Sequence, residues 1–363
     1  MKRTMKITTI ERIDVSIPLE APFTHGRVTQ VSTTSIVLVH TDAGVTGIGN
    51  AEQGFKADLA ERLLWGRNPL EIEATMAAMG RVRSAGVEIA LWDIVGKVAN
   101  QPIHRLLGAC RDRIKAYVSM LSLQPPDEQA RLAVAYLEEG FTAIKLRLHR
   151  PRLADDLAVI RAVRDAVGDD MEIMTDANQA FMPYGPLHWT LHTAQRAARA
   201  LERLEVVWLE EPLHQLDTEG HRQLAESVDM PIAGGEGVTT VERFHEMLLS
   251  GGWDIIQPDV VFAGGILPTW KAAHLAEAHH KLCILAHVRW AGLQLLGAIP
   301  NCTHFEYMHD PPRLQTMFRR PLLNDPIEIH DGYVQIPQGP GLGITLNEEA
   351  IVTYRAPEPE PWI

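Results

Sequence analysis

The sequence predicts an α/β barrel that follows a smaller α+β unit. From Ile114 onward, short apolar segments alternate with stretches long enough for one helix each. Short buried strands that alternate with helices are typical of a parallel sheet with right-handed crossovers. About eight such repeats fall within roughly 200 residues, which favours a closed (β/α)₈ barrel over an open doubly wound sheet. The predicted strands span 115–121, 141–148, 171–176, 205–210, 231–236, 254–257, 282–287 and 302–306.

The N-terminal region follows a different pattern. An alternating segment near its start and a β-branched run over 33–39 predict antiparallel strands, and the apolar spacing over 85–107 predicts a helix. We therefore expect an α+β domain over 1–112 and the barrel over 113–322. The glycines around Gly44 lie in a predicted hairpin, not after the first strand of a β-α-β unit, which disfavours a dinucleotide-binding fold.

The composition is that of a globular protein with a full hydrophobic core. Of its 363 residues 46% are hydrophobic, and the chain exceeds the size at which a single core usually stops growing. The net charge of −12 and the lack of a basic block argue against a nucleic-acid or anionic-membrane partner. No apolar run reaches the length of a membrane span, and the N-terminus lacks the apolar core of a signal peptide. Three widely spaced cysteines fit a reducing compartment, so we expect a cytoplasmic protein.

Charged or titratable residues stand at the ends of the predicted barrel strands from the second to the eighth. A buried strand has ample reason to be apolar and little structural reason to end on such a residue. In barrel enzymes the loops at the carboxyl ends of the strands build the active site, so these residues decide the chemistry. In chain order they are Lys145 and Arg147, Asp176 and Asn178, Glu210, Glu236, Asp259, His287, and Glu306.

Three of these residues predict a metal site. Asp176, Glu210 and Glu236 are carboxylates on adjacent strands, which would converge on one side of the barrel mouth. Three oxygen ligands, with room for water and a substrate, suit Mg²⁺, whereas zinc is disfavoured because neither cysteine nor histidine joins the set. Any one of these acids alone could equally be a solvated loop carboxylate or an ion-pair partner.

Lys145 and Arg147 are two residues apart on one predicted strand, so their side chains point the same way. Directed into the barrel mouth, these two cations would face the acids and could bind a substrate carboxylate. An exposed strand edge would explain the same pattern.

His287 and Asp259 end consecutive predicted strands and predict a general base with its partner. A carboxylate can accept from one ring nitrogen, fix the tautomer and raise the basicity of the other. A single histidine is more often structural, and this chain has 16. Glu306 could hydrogen-bond to a substrate if protonated, or pair with Arg289.

The order of these motifs resembles the mandelate racemase subgroup of the enolase superfamily. The motifs are Lys-x-Arg, Asp-x-Asn, Glu-Glu-Pro, Gly-Glu, Pro-Asp followed by Gly-Gly, a lone histidine and a final glutamate, and the resemblance continues into residues 338–343. It implies a modified (β/α)₇β barrel beneath a capping domain, with 323–363 returning to the N-terminal unit. It also implies Mg²⁺ held by Asp176, Glu210 and Glu236, a base formed by His287 with Asp259, an electrophile at Glu306, and a homo-oligomer.

The resemblance also implies that two loops, over 21–30 and 50–56, close over the substrate. His25, Arg27 and Gln53 are therefore candidate substrate-binding residues, together with Asn178. The partner is expected to be a small-molecule carboxylate.

The implied reaction begins with removal of the proton beside a carboxylate. Removal creates a doubly charged enediolate, which Mg²⁺ and Lys145 would stabilise while His287 takes the proton. A racemase of this family would carry a second lysine where this chain has Arg147, and arginine stays protonated.

We therefore expect a dehydratase of an aldonate or aldarate that yields a 2-keto-3-deoxy acid. A racemase, an epimerase or a lactone cycloisomerase would use the same enediolate. A non-catalytic, metal-stabilised binding protein is a further alternative. A metal-dependent hydrolase is disfavoured because no His-x-His follows the first barrel strand.

Overall fold

A computed structural model of the protein describes residues 4–25, 27–51, 55–80, 84–182, 185, 187–309 and 321–356, and for residues 19–32 it describes the backbone alone. Among these residues, none of the helices has the length and apolar character that a bilayer crossing requires.

The N-terminal unit is a three-stranded antiparallel sheet with helices packed against it. Gly47 and Gly49 permit the close approach of the sheet to the third helix, because an added Cβ would lie 2.0 Å from the carbonyl oxygen of Ala90 or of Gly86. The elements are β1 (Ile7–His25), β2 (Arg27–Thr41), β3 (Thr46–Ala51), α1 (Ala57–Leu64), α2 (Ile72–Met79), α3 (Ala85–Ala99) and α4 (Ile103–Leu106).

Eight parallel strands separated by seven helices form the barrel. The strands are β4 (Arg113–Ser119), β5 (Ala143–Arg147), β6 (Glu172–Asp176), β7 (Val206–Glu210), β8 (Ile232–Gly234), β9 (Ile255–Ile256), β10 (Leu282–Cys283) and β11 (His304–Met308). The helices are α5 (Pro126–Glu138), α6 (Leu153–Val167), α7 (Leu191–Glu202), α8 (Thr218–Ala225), α9 (Val241–Ser250), α10 (Ile266–Ala278) and α11 (Trp290–Leu296). Strands β4 to β10 pair in sequence order, and β11 pairs with β4. The predicted α/β barrel is thereby confirmed.

Several barrel strands are shorter than the sequence predicts. The segment 282–287 forms ladder pairs only at Leu282 and Cys283, and an isolated bridge from Asp259 to Ala286 continues the pairing near the mouth. The apolar residues mark the whole extended segment, whereas regular pairing ends where the chain turns to present the polar side chains at its tip.

The C-terminal segment contacts both units. Strand β13 (Tyr333–Gln335) pairs antiparallel with β4 and with β12 (Ile329–His330), and α12 (Glu348–Thr353) follows. The N–H of Leu342 donates to Asp93 of α3 over 2.8 Å, and the N–H of Ala356 donates to the carbonyl of Asp14 in β1 over 2.7 Å.

Glu88 of α3 connects the N-terminal unit to the barrel. Its carboxylate accepts the N–H groups of Ile266 and Leu267, at 2.7 and 2.9 Å, at the start of α10. A helix begins with backbone donors that lack partners within the helix, so this acid caps α10 from another unit. Gly265 makes the approach possible, since its φ is 123° and an added Cβ would lie 2.1 Å from Glu88.

Aromatic side chains fill the barrel below its polar mouth. The ring of Trp208 lies 5.6 Å from that of Tyr117 and 6.1 Å from that of His304, each in an edge-to-face arrangement. All three are buried. These rings pack against one another within the barrel core.

Candidate active site

Lys145 lies at the centre of the polar residues at the strand tips. Its Nζ is 2.8 Å from Glu210, 2.8 Å from Glu306 and 3.9 Å from Asp176, and its side chain is 1% exposed. Burial disfavours the charged form, but Glu210 and Glu306 outweigh it and hold the pKa of Lys145 well above its usual value. Lys145 therefore remains a cation.

Arg147 occupies the same face of β5, one pleat nearer the mouth. Its guanidinium donates to Asp176, to the carbonyl of Met120 over 3.0 Å, to Ser119 Oγ over 3.0 Å and to Asn178 Oδ1 over 3.3 Å. These bonds to the tips of the two neighbouring strands, β4 and β6, use the planar fork of the guanidinium, which an ammonium group could not reproduce.

His287 lies between two carboxylates. Its Nδ1 is 3.4 Å from Asp259 and its Nε2 is 3.7 Å from Glu236. Burial lowers the pKa of His287, but the charge of Glu236 and the neighbouring carboxylate of Asp259 outweigh it and raise that pKa to about 9. Asp259 is fixed in turn by the N–H groups of Val261 and Phe262, which donate to it over 2.6 and 3.1 Å.

Glu306 accepts hydrogen bonds from three elements. Oε1 accepts from Lys145 and from Ser119 Oγ, over 2.8 and 2.9 Å, and Oε2 accepts the backbone N–H of His287 over 2.8 Å. Burial raises the pKa of Glu306, but Lys145, His287 and Arg147 together lower it below its usual value. In this arrangement Glu306 is an ionised hydrogen-bond acceptor paired with Lys145, whereas the sequence left open a protonated donor or a pair with Arg289.

The candidate metal ligands are close enough to interact electrostatically. Burial raises the pKa of each of the three carboxyl groups. Each pKa is raised further by another of the acids: that of Asp176 by Glu236, that of Glu210 by Asp176, and that of Glu236 by Glu210.

The sequence matches two family descriptions that together span most of its length. Residues 7–108 match the mandelate racemase/muconate lactonizing enzyme N-terminal domain, and residues 128–350 match the enolase C-terminal domain-like family. The chain belongs to the enolase superfamily. This membership confirms the predicted family and the predicted capping domain with a modified barrel.

The relatives of this enolase-superfamily chain include a L-talarate/galactarate dehydratase from Salmonella typhimurium. It is 34% identical over 80% of this chain and 68% of the relative. Other relatives are an arabinonate dehydratase, a D-xylonate dehydratase, a D-galactarolactone cycloisomerase and an L-Ala-D/L-Glu epimerase. The chain is thus an enzyme of this superfamily, and its relatives include both sugar-acid dehydratases and isomerases.

Solved structures resemble the chain over almost its whole length. A protein described as a putative mandelate racemase, from Bordetella bronchiseptica, is 30% identical with a TM-score of 0.87, over 98% of this chain and 96% of that one. The L-talarate dehydratase of Polaromonas, complexed with Mg and L-glucarate, is 28% identical with a TM-score of 0.84, over 98% of each chain.

The chemistry of the acid cluster fits a divalent cation. Three groups that carry or can carry positive charge lie among six carboxyl groups, an excess of acid that a divalent ion would offset. Within the described residues, no three histidine, cysteine, aspartate or glutamate side chains are arranged to hold a metal. The reason is visible, since Lys145 and Arg147 contact Glu210 and Asp176 directly. The carboxyl groups belong to Asp176, Glu210, Glu211, Glu236, Asp259 and Glu306, and the other groups to Lys145, Arg147 and His287.

Four predicted substrate-binding residues have different outcomes. Asn178 lies in the cluster, where its Oδ1 accepts from Arg147. The side chains of His25 and Arg27, and the whole of Gln53, lie outside the described residues.

The structure adds residues that the sequence did not single out. Gln257 donates to Glu210 over 2.8 Å, and Ser119 bridges Arg147 and Glu306. Gln257 directly precedes the Pro-Asp motif and Ser119 ends the first barrel strand, so their positions at strand tips were the available signal. The third such residue is His149, two residues beyond Arg147, whose Nε2 lies 2.7 Å from Oδ1 of Asn178.

A cavity of about 1010 Å³ lies between the N-terminal unit and the barrel. It is lined by Phe55, Glu88, Thr240, Phe262 and Lys271 among others, and by none of the predicted catalytic side chains. We therefore assign the active site to the polar strand tips, where the reactive groups are, and not to this cavity.

Proposed function

We propose that the protein is a Mg²⁺-dependent dehydratase of a sugar acid, an aldonate or aldarate. The observation that supports this most directly is the ion pairing of Lys145 with both Glu210 and Glu306. His287 lies beside this group, with Asp259 3.4 Å from one of its ring nitrogens. The site thus combines a fixed cation, a cluster of acids and a proton acceptor. Proton removal beside a carboxylate needs these three components.

Asp176, Glu210 and Glu236 would hold the Mg²⁺ ion. Carboxylate oxygens are the ligands this cation prefers, and the excess of acid in the cluster favours its binding. A bound Mg²⁺ would supply positive charge for the oxygens of the enediolate. The Mg-containing structure of the Polaromonas relative supports the choice of Mg²⁺ as the ion.

His287 would take the proton from the carbon beside the carboxylate. Asp259 lies 3.4 Å from Nδ1 and orients the ring, so that Nε2, which faces Glu236 at 3.7 Å, is the nitrogen that would take the proton. Asp259 is itself held by two backbone donors, which fix the ring in one position.

Lys145 and Arg147 would hold the substrate carboxylate and stabilise the charge that develops on it. Both stay protonated, since the pKa of Lys145 is raised by Glu210 and Glu306 and an arginine side chain does not lose its proton in proteins. They therefore stabilise charge without taking protons.

The fixed charge of Arg147 favours dehydration over racemisation. A two-base racemase needs a second group that can give and take a proton on the opposite face, and an arginine does not do so. Loss of the β-hydroxyl instead converts the enediolate into an enol, which becomes a 2-keto-3-deoxy acid. The sugar-acid dehydratases among the relatives, which include the L-talarate/galactarate dehydratase that is 34% identical, support this choice.

The test is a screen of sugar acids with Mg²⁺. The panel includes galactarate, L-glucarate, D-gluconate, D-xylonate and arabinonate, and each product is identified by NMR. We expect a 2-keto-3-deoxy acid from at least one member, and no product when Mg²⁺ is chelated. Inversion at C2 without loss of water would identify an epimerase. Opening or formation of a lactone ring without loss of water would identify a cycloisomerase. A complete lack of C2 exchange on every acid would favour a binding protein.

A further inference from the structure

His149 lies at the tip of β5, two residues beyond Arg147. The N–H of Leu148 donates to the carbonyl of Asp176 over 2.8 Å, so the strand ladder continues past the end of β5. Side chains alternate between the two faces of a strand, and a step of two residues is about 6.6 Å. Lys145, Arg147 and His149 therefore line one face of the strand, with His149 nearest the mouth.

Asn178 connects His149 to the active site. Its Oδ1 lies 2.7 Å from Nε2 of His149 and 3.3 Å from the guanidinium of Arg147. Its backbone N–H donates to Asp176 over 2.8 Å. An amide oxygen only accepts hydrogen bonds, so Nε2 of His149 donates to Asn178 and carries a proton.

The two cations of β5 do not supply the proton that the departing β-hydroxyl needs, which leaves this step to His287 or to another acid. The departing β-hydroxyl needs a proton, because hydroxide leaves poorly near neutral pH. Arg147 and Lys145 keep their protons. His149 is the next side chain on the same face, and imidazole exchanges protons in the neutral range.

The position of β5 also suits this step. In the sheet order, β6 to β9 separate β5 from β10 on one side, and β4 and β11 separate them on the other. A base on the β10 tip and an acid on the β5 tip would reach a substrate from different sides. This arrangement fits an elimination in which the C2 proton and the C3 hydroxyl depart from opposite faces.

On the basis of the dehydratase function proposed above, we propose that His149 is the general acid that protonates the departing β-hydroxyl. His287 takes the C2 proton, and the electron pair of the C2–H bond passes into the enediolate. That pair forms the C2–C3 double bond as the C3–O bond breaks, and the leaving oxygen takes a proton from His149 and departs as water. The enol then gains a proton at C3 from His287 and releases its hydroxyl proton to His149.

The first test compares His149→Gln with wild type on an acid that wild type dehydrates. Glutamine can still donate to Asn178, but it does not transfer protons. We expect formation of the 2-keto product to fall by about 10²- to 10⁴-fold, while Mg²⁺-dependent exchange of the C2 proton in D₂O continues at the wild-type rate.

A 3-deoxy-3-fluoro analogue of the same acid separates acid catalysis from a structural effect. Fluoride leaves without a proton, so wild type and His149→Gln should eliminate it at the same rate. His330→Gln is the matched control, because His330 is 67% exposed on β12, whose partner β13 pairs with the opposite end of β4. This control should match wild type on both substrates.

Two outcomes with an active wild type would overturn the inference. Equal dehydration by wild type and His149→Gln would assign the leaving group's proton to another residue, such as His287. Loss of exchange and of fluoride elimination together would mean that His149 acts in binding. A wild type that neither exchanges nor dehydrates any acid would overturn the proposed function itself.

Discussion

Lys145 and Glu306 belong to the residues of the site that keep a fixed charge, as distinct from those that transfer protons. Lys145 is buried against Glu210 and Glu306, and each partner stabilises the charged form of the other. Their charges are therefore constant through the neutral range. Proton movement is left to the histidines, of which His287 has a carboxylate on each side.

His287→Asn should separate metal binding from catalysis. Asparagine keeps a similar shape but does not accept the substrate proton, so C2 exchange in D₂O should fall by about 10²- to 10⁴-fold. Mg²⁺ affinity, measured by calorimetry, should be retained. Exchange at the wild-type rate would exclude His287 as the base.

Arg147→Lys should reduce activity although it preserves the charge. A lysine does not reproduce the bonds to Met120, Ser119 and Asp176 together, and each lost charged hydrogen bond is worth about 1.5–3 kcal/mol. We expect kcat/KM for dehydration to fall at least about 10-fold, with some C2 epimer appearing in the NMR spectrum because lysine is titratable. Unchanged kcat/KM would show that the guanidinium fork is dispensable.

At the scale of the elements, the sequence predicts the strands well and their ends less well. The apolar period marks β5, β6 and β7 to within a residue or two, because each is buried on both faces. It overestimates β10, where the segment 282–287 has regular pairing only over Leu282–Cys283. The polar tips leave the ladder to form the site, and no period marks that departure.

Glu88 should make stability depend on pH. Burial raises the pKa of Glu88 from 4.5 to about 7, although the N–H groups of Leu267 and Ile266 lower it. The folded protein thus binds the proton more tightly than the unfolded chain. The stability from this proton is complete below pH 4.5 and is lost as the pH rises through about 7, a change of about 3 kcal/mol at most.

Glu88→Gln should remove this part of the pH dependence. Urea unfolding at several values between pH 5 and pH 8 should show wild type losing stability relative to the variant as the pH rises. Asp58→Asn, which removes an acid that is 73% exposed on α1, is the control and should run parallel to wild type. If the free energies of unfolding of wild type and Glu88→Gln differed by the same amount at every pH, this role of the carboxyl group would be contradicted.

At the scale of the whole molecule, the sequence predicts the barrel and the tip residues but not the contacts between strands. Asp176, Glu210 and His287 could be predicted because each ends an apolar run. The bridge that Ser119 makes between Arg147 and Glu306 depends on closure of the barrel through β4 and β11, which brings distant residues together. Sequence spacing carries no signal for such a contact.

Mg²⁺ should stabilise the folded enzyme through the acid cluster. A ligand that binds only the folded state at 100 times its Kd adds about 2.7 kcal/mol, so the melting temperature should rise with Mg²⁺ and fall on chelation. Glu236→Gln should lose most of this rise, whereas Glu226→Gln, at a position 63% exposed on the surface, should keep it. An equal rise in both variants would place the ion elsewhere.

The capping of α10 by Glu88 limits how the two units of this protein can be recombined with those of its relatives. The N–H groups of Ile266 and Leu267 belong to the barrel, but the acceptor belongs to the other unit. A hybrid enzyme that joined this barrel to a foreign cap without an acid at that place would bury two donors with no acceptor, next to the loop that carries Asp259. Functional hybrids will therefore have to inherit the acid and the start of α10 from the same parent.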